Sequence, residues 1–146
     1  MEVRRAGLDD LDFLAPLFDA YRRFYRLPGD LASARAFLND RLARHESVIF
    51  LAVAQGRAIG FTQLYPSFSS VSMAPIFVLN DLFVDPEARR TGAGAALLQA
   101  AAEYGRRNGA IRLMLETEIT NTTAQGLYEK MGWKRDTEYY VYTLTL

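Results

Sequence analysis

The stretch that decides the fold is Asn80–Gly94, with the sequence NDLFVDPEARRTGAG. Its apolar first half is typical of a strand, and Asp85-Pro86 ends that strand because the residue before a proline is kept extended. A basic turn, Arg89-Arg90, follows, and two glycines then open a helix. The first N–H groups of a helix lack internal partners and lie at the positive end of its dipole. The segment therefore predicts an anion site that would suit a pyrophosphate.

Hydrophobic periodicity on either side of this segment predicts the element order βααβββαβαβ. The stretch Pro66–Pro75 is predicted to be a polar loop because it contains four serines between two prolines. The predicted elements are a strand at Val3–Ala6, a helix capped by Asp9 or Asp10, a helix from Leu31 to about Arg44, strands at Ser47–Ala54, Ala58–Tyr65 and Ile76–Val84, a helix at Gly92–Arg107, a strand at Ile111–Glu116, a helix at Thr122–Met131 and a strand at Tyr139–Leu146. This order predicts a mixed α/β sheet with helices on both faces.

Four interpretations of the glycine-containing turn are compared. A dinucleotide-binding turn requires a third glycine where this chain has Leu97, and a phosphate-binding P-loop requires a Gly-Lys-Ser/Thr sequence that is missing. A turn with solvated arginines is the simplest alternative. The remaining interpretation is a site for coenzyme A.

Two motifs give the chain a resemblance to a known family. They are Arg89-x-x-Gly92-x-Gly94 and, about thirty residues later, Asn121-x-x-Ala124-x-x-Leu127-Tyr128-x-x-x-Gly132-Trp133. In this order they resemble the GNAT superfamily of N-acetyltransferases, and the resemblance covers nearly the whole chain. It implies one GNAT domain over residues 1–146, with a mixed, mostly antiparallel twisted sheet of six to seven strands flanked by about four helices.

The resemblance also implies how acetyl-CoA, the acetyl donor, would be bound. The strand residues Leu82, Phe83 and Val84 would offer backbone groups to the pantetheine arm and the acetyl carbonyl. The turn would surround the pyrophosphate, and Asn121 would hydrogen-bond the CoA chain, although Asn121 is equally suited to cap its own helix. The turn residues are Arg89, Arg90, Thr91, Gly92, Ala93, Gly94 and Ala95.

The expected catalytic residues are Tyr128, Asp81 and Glu116. By resemblance, the Tyr128 hydroxyl would lie near the CoA sulfur, although a tyrosine on an amphipathic helix can also be a core residue. The general base is ambiguous, because relatives have glutamates where this chain has Val78 and Asn80. Asp81 and Glu116 are therefore the candidates, each of which could instead be a solvated charge.

Composition limits the other functions. The chain has 17 basic and 17 acidic residues, so the charge excess of a general nucleic-acid binder is missing, and no apolar run is long enough to span a membrane. Cysteine is absent, which excludes a thiolate metal site and fits a cytoplasmic enzyme without a metal. The acceptor is expected to be a primary amine, either a small polyamine-like cation or a lysine side chain, and a homodimer is expected. A non-catalytic CoA-binding module is the alternative.

Overall fold

One mixed sheet of five strands, in the order β1-β2-β3-β4-β5, organises the first 116 residues of the chain. The computed structural model describes residues 1–146, which form two compact units, Met1–Glu116 and Thr117–Leu146. The elements are β1 Glu2–Arg5, α1 Leu11–Phe24, α2 Leu31–Ala43, β2 Val48–Ala54, β3 Arg57–Ser69, β4 Ala74–Val84, α3 Ala93–Arg107, β5 Leu113–Met114 and α4 Thr122–Lys130, with single 3₁₀ turns at Leu8–Asp10 and Pro86–Ala88.

Neighbouring strands are antiparallel from β1 to β4, and β4 and β5 are parallel. Helix α3 provides the crossover that a parallel pair requires. The mixed, mostly antiparallel sheet and the four helices are confirmed. The strand count is lower than the six to seven expected, and β5 has two residues where Ile111–Glu116 was predicted.

Helices cover both faces of the sheet, as predicted. Along β2, Leu51 packs in a cluster with α1 and α2, whereas the next residue, Ala52, packs in a cluster with Leu97 of α3. Because successive strand residues point to opposite faces, the two clusters lie on opposite sides of the sheet. The sheet is therefore buried between the α1–α2 pair and α3.

The first two helices begin at aspartates. Helix α2 is capped by Asp30, whose side chain accepts a hydrogen bond from the Ser33 backbone N–H at 3.1 Å. Helix α1 begins after Asp10, which accepts hydrogen bonds from Arg4 and from the backbone of Gly7. Pro16 lies inside α1 and does not interrupt it.

The predicted loop at Pro66–Pro75 is wrong, because β3 continues to Ser69 and β4 starts at Ala74. The pairing of β2 with β3 stops at Leu64, whereas β4 pairs with β3 as far as Ser69. Beyond Leu64, β3 therefore has a neighbour on one side only, and a proline that cannot donate to a ladder is accommodated at such an open edge.

The second unit contains α4 and a C-terminal segment. Asn121 precedes α4, and the helix ends at Lys130, one residue before the predicted end. The predicted strand at Tyr139–Leu146 is wrong, since this segment makes no ladder and forms no regular element. The alternation of aromatic and β-branched residues there indicates strand propensity, which becomes a strand only with a pairing partner.

Across the whole chain, every helix is too short or too polar to cross a membrane.

Candidate functional site

Strand β4 separates from β5 after Val78, partway along its length. The two strands pair only at Phe77 with Leu113 and at Val78 with Met114. From Leu79 to Val84, β4 pairs with β3 on one side and with no strand on the other. Backbone N–H and C=O groups on that side are open to a ligand, as at any sheet edge. The residues along this open edge include Leu82, Phe83 and Val84, which were predicted to bind the pantetheine arm.

The glycine turn has the geometry of an anion site. Gly92 is the N-cap of α3 with φ 85°, a left-handed conformation that strongly favours glycine. No side chain caps this helix end. The first helical amides, at Ala93, Gly94 and Ala95, are therefore available to an anion, and the helix dipole adds positive potential there.

The side chains beside this turn have different roles in the anion site. Thr91 donates a hydrogen bond from its hydroxyl to the Ala88 carbonyl at 2.6 Å, which fixes the turn. The Arg89 guanidinium donates to the Val84 carbonyl at 3.4 Å and lies 5.9 Å from the centre of the Phe24 ring. Arg90 is exposed with φ 67°, an uncommon backbone conformation for a residue other than glycine. Two full positive charges thus lie beside the open amides.

An aromatic cleft of about 290 Å³ lies between α1, α2 and the middle of β3 and β4. Its volume is at the lower end for small-molecule pockets. Its lining consists mainly of aromatic rings, two charged side chains and one amide: Phe18, Tyr21, Tyr25, Phe37 and Tyr65, with Leu27, Arg22, Asn80 and Asp81. The Tyr21 and Tyr25 rings meet edge to face at 5.1 Å.

Asp81 is the buried acid of this aromatic cleft, with 3% of its surface exposed. Its carboxylate accepts hydrogen bonds from the Gln63 amide and, at 3.2 Å, from the Asn80 amide. Burial raises the pKa of Asp81 above its usual value, because desolvation disfavours the charged form, while hydrogen bonds from Gln63, Tyr21 and Asn80 partly offset this rise. A carboxyl group with a raised pKa next to an open cleft is suited to accept a proton.

Two neighbours on β3 complete the surroundings of Asp81. Gln63 is fully buried, and its side-chain oxygen Oε1 has no hydrogen-bond partner. Burial, followed by the charge of Asp81, raises the pKa of Tyr65 to about 12, so that its phenol stays protonated at neutral pH. Tyr65 can therefore donate a hydrogen bond in the cleft but cannot act as a base.

Strand β4 has a bulge beside this carboxylate. Gln63 is opposite Asp81, and the next β3 residue, Leu64, is opposite Leu79. Asn80 is thus the extra residue on β4, and it is exposed whereas its neighbours Leu79 and Asp81 are buried.

The other predicted acid, Glu116, has different surroundings. It is exposed and is the last residue of the first unit. It does not line the aromatic cleft. Of the two predicted bases, only Asp81 is buried among hydrogen-bond donors.

The remaining two predicted site residues belong to the second unit. The Asn121 side chain accepts a hydrogen bond from the Ala124 backbone N–H at 3.2 Å, which confirms its role as the cap of α4. Tyr128 is half-buried, and its ring centre is 6.0 Å from that of Trp133. Trp133, which follows α4 by three residues, thus packs against the helix through the Tyr128 ring.

A larger hollow of about 460 Å³ lies between α1, the start of β3 and the end of β4. Its charged side chains already have partners: Arg57 pairs with Asp85 at 3.3 Å, and Arg23 pairs with Asp19 at 3.5 Å. The other acid of the lining, Asp12, pairs with Arg35. This hollow therefore offers no uncommitted charge to a ligand.

Sequence analysis missed Gln63 and Arg22. An amide in an apolar strand is a visible signal, because a buried polar side chain requires a partner. That its partner is Asp81, however, depends on the register between β3 and β4. Arg22 could not be distinguished from the adjacent Arg23 of α1.

Comparison with known proteins gives consistent results. Residues 14–133 match the model of the acetyltransferase (GNAT) family. An uncharacterized N-acetyltransferase of Bacillus subtilis (strain 168), YhfO, is 53% identical over 100% of this chain and 98% of its own length. The crystal structure of a probable acetyltransferase superposes with a TM-score of 0.95 at 45% identity, covering 100% of this chain and 98% of that one.

A more distant structure shares the fold. It is the aminoglycoside N-acetyltransferase AAC(6')-Iy in complex with CoA, with a TM-score of 0.82 at 21% identity, covering 99% of this chain and 95% of that one.

Proposed function

Because the chain belongs to the GNAT family of acetyltransferases, we propose that it moves the acetyl group of acetyl-CoA to a small primary amine bound in the aromatic cleft. The observation that carries this proposal is the position of Asp81, buried at the side of that cleft on the strand that the resemblance assigns to the thioester. The two substrates would then meet at β4.

The donor half of the proposal uses backbone groups. The free edge of β4 at Leu82 and Val84 would hydrogen-bond the pantetheine arm, and the amides of Ala93, Gly94 and Ala95 would bind the pyrophosphate. The charges of Arg89 and Arg90 would add to that attraction. The related fold of an aminoglycoside acetyltransferase has been solved with CoA bound, which supports CoA as a ligand of this architecture.

The acceptor half uses aromatic faces and one carboxylate. The Tyr21, Tyr25 and Phe37 rings can stabilise a cation by their π-faces, and Asp81 can pair with an ammonium group. A polyamine carries several cations, whereas the cleft has a single acid. The lining therefore favours an acceptor with one ammonium group, such as a small monoamine or a lysine side chain, over a polyamine.

The reaction is a direct attack of the amine on the thioester. A lysine-like ammonium has a pKa near 10.4, so deprotonation at pH 7 costs about 4–5 kcal/mol. Asp81 would take this proton, directly or through a water molecule. The neutral nitrogen then forms a bond to the acetyl carbon, and a backbone N–H near Leu82 or Phe83 would stabilise the tetrahedral oxyanion.

Collapse of this intermediate breaks the C–S bond and releases CoA as a thiolate. Tyr128 is the proposed donor to this sulfur. Its reference pKa near 10 makes it a weaker acid than a thiol near 8.5, so hydrogen bonding to the thiolate suffices without complete proton transfer. Asn121 would hydrogen-bond the CoA chain in addition to capping α4. Glu116 would serve as the general base only if Asp81 does not.

A panel of amines tests the proposal. Thiol release would be measured with acetyl-CoA and monoamines, lysine, lysine peptides, polyamines and aminoglycosides, alongside calorimetric titration of acetyl-CoA. Turnover with monoamines or lysine is expected. Absence of any heat or melting shift with millimolar acetyl-CoA would contradict the donor site itself.

One observation favours a second function, a CoA-binding module without catalysis. Positions where catalytic relatives have glutamate hold Val78 and Asn80, neither of which can accept a proton. This alternative predicts acetyl-CoA binding without thiol release to any acceptor, in the same two assays.

The resemblance supports three further proposals about the whole chain. Residues 1–146 would act as one acetyltransferase domain, since the family match spans most of both units. The enzyme would act in the cytoplasm and form a homodimer. Light scattering of the purified protein tests the dimer.

A further inference from the structure

Arg22 lines the aromatic cleft together with Asp81, and its guanidinium forms no ion pair with a carboxylate. We propose that Arg22 binds an anionic group of the acceptor, so that the substrate is a small amine that also carries a carboxylate. This inference rests on the proposed acetyl transfer in the same cleft. It narrows the acceptor to amino-acid-like zwitterions.

The state of Arg22 sets it apart from the other cations on these helices. Arg23 pairs with Asp19 at 3.5 Å, Arg35 pairs with Asp12, and Arg41 pairs with Glu46 at 3.0 Å. Arg22 makes neither an ion pair nor a side-chain hydrogen bond. Hydrogen bonds from Ser33 lower the pKa of Asp30, and the charge of Arg22 adds a smaller effect at longer range. Arg22 is nevertheless half-buried. A guanidinium that is partly desolvated and unpaired is a ready partner for a carboxylate.

The charges of the cleft complement those of a zwitterion. Its charged lining is one acid, Asp81, and one cation, Arg22, because arginine remains protonated in proteins. A polycation would be attracted by Asp81 and repelled by Arg22. An amine with a carboxylate would pair its ammonium group with Asp81 and its carboxylate with Arg22.

The size and the apolar lining limit the rest of the molecule. A cleft of about 290 Å³ holds a molecule of amino-acid size, and both charges lie within it. The same lining includes the rings of Tyr21, Tyr25 and Phe37 and the side chain of Leu27. The acceptor would therefore have an apolar body between or beside its two charged groups.

Matched acceptor pairs that differ only in the carboxylate test this inference. The pairs are phenylalanine with phenethylamine and lysine with 1,5-diaminopentane, and kcat/KM for each is measured by thiol release. The wild-type enzyme is expected to prefer the carboxylate-bearing member of at least one pair by tenfold or more. In Arg22→Gln this preference should fall to twofold or less through a rise in KM for that member, while the other member is affected little.

Arg23→Gln is the control, because Arg23 is the adjacent residue of α1 and its charge is already paired with Asp19. This variant should retain the wild-type preference. Equal or better turnover of the amines without a carboxylate in the wild-type enzyme would overturn the inference, as would an equal loss for both members of a pair in Arg22→Gln.

The design separates this inference from the proposed function. If no amine is acetylated, the proposed function, acetyl transfer to a small amine, is wrong. Calorimetric binding of the same pairs to the CoA-saturated protein then decides the role of Arg22, with tenfold tighter binding of the carboxylate member supporting it and no difference overturning it.

Discussion

Gln63 on β3 lies directly opposite Asp81 on β4 and donates a hydrogen bond from its amide to the Asp81 carboxylate, with both side chains almost completely buried. The Gln63 oxygen, Oε1, has no partner in this arrangement. If Asp81 gains a proton, rotation of the amide would let Oε1 accept it in a hydrogen bond. Gln63 can thus bind either protonation state of the acid, which suits a group that accepts and returns a proton in each cycle.

Replacing Gln63 with leucine should shift the pH dependence of catalysis. Without the amide donor, the buried carboxylate is less stabilised and the pKa of Asp81 rises further. Because a base must be ionised to act, the acidic limb of the kcat/KM profile should move to higher pH. Activity should be several-fold lower at neutral pH and recover as the pH is raised.

Ser47→Ala is the matched control for this variant. Ser47 also has a buried oxygen without a partner, but it does not line the aromatic cleft. Its pH profile should coincide with that of the wild type. A Gln63→Leu profile with the wild-type acidic limb would show that Gln63 does not influence the base.

Asp81→Asn should lower kcat/KM by about 10²–10⁴-fold, the usual contribution of general base catalysis. The amide has nearly the same shape and cannot accept the proton. The acidic limb of the wild-type profile should disappear in this variant, and acetyl-CoA should still bind. Glu116→Gln is the comparison, because Glu116 is the exposed alternative base. A larger loss in Glu116→Gln than in Asp81→Asn would reverse the assignment.

The same substitution should also change stability with a defined sign. The pKa of Asp81 is higher in the folded protein than in the unfolded chain, so between the two values the folded state binds more protons. The free energy of unfolding therefore falls as the pH rises through this window and stays reduced above it. Asp81→Asn should raise the melting temperature at pH 7 and lose this advantage at acid pH, as measured by thermal melts across pH.

Gly92→Ala should weaken acetyl-CoA binding. Gly92 has φ 85°, and placing a side chain in this conformation costs about 1–2 kcal/mol or shifts the backbone that presents the first amides of α3. The expected result is a severalfold rise in KM for acetyl-CoA together with a lower melting temperature. Calorimetry with CoA provides the binding constant independently of turnover.

Gly109→Ala separates strain from binding. Gly109 follows the other end of α3 with φ 73° and, like Gly92, has open space where a Cβ would be added. Its substitution should lower the melting temperature by a similar amount and leave KM for acetyl-CoA unchanged. Equal KM values for the two variants would remove Gly92 from the donor site.

Tyr128→Phe should lower kcat by about 10- to 100-fold while the affinity for acetyl-CoA stays nearly unchanged. The hydroxyl is expected to act on the departing sulfur, and the ring that contacts Trp133 is kept. Tyr104→Phe is the control, because Tyr104 packs on Phe77 within the first unit. Wild-type turnover in Tyr128→Phe would remove this residue from the mechanism.

The elements around the glycine turn could be predicted from the sequence because their signals are local. Asp85-Pro86, Gly92 and Asn108-Gly109 mark the end of β4 and both ends of α3 within one or two residues. The Asp30 cap likewise places the start of α2. Such signals depend on backbone conformation and on hydrogen bonds between near neighbours, so they do not require knowledge of the fold.

Features that depend on strand pairing could not be predicted in this way. The prolines at 66 and 75 resemble loop residues until it is known that β3 has an open edge beyond Leu64. The hydrogen bond between Gln63 and Asp81 joins residues 18 positions apart and follows from the register of two strands. That Arg22 forms no ion pair also cannot be predicted from a sequence that has 17 basic and 17 acidic residues.

The bulge at Asn80 decides which side of the sheet receives the acid. Before it, Phe77 contacts Tyr104 of α3, whereas after it Phe83 packs with α1, although both residues are odd-numbered and strict alternation would place them together. One inserted residue has exchanged the two faces for the rest of the strand. Without it, Asp81 would point toward α3, away from the aromatic cleft, and no substitution at position 81 could restore a carboxylate there.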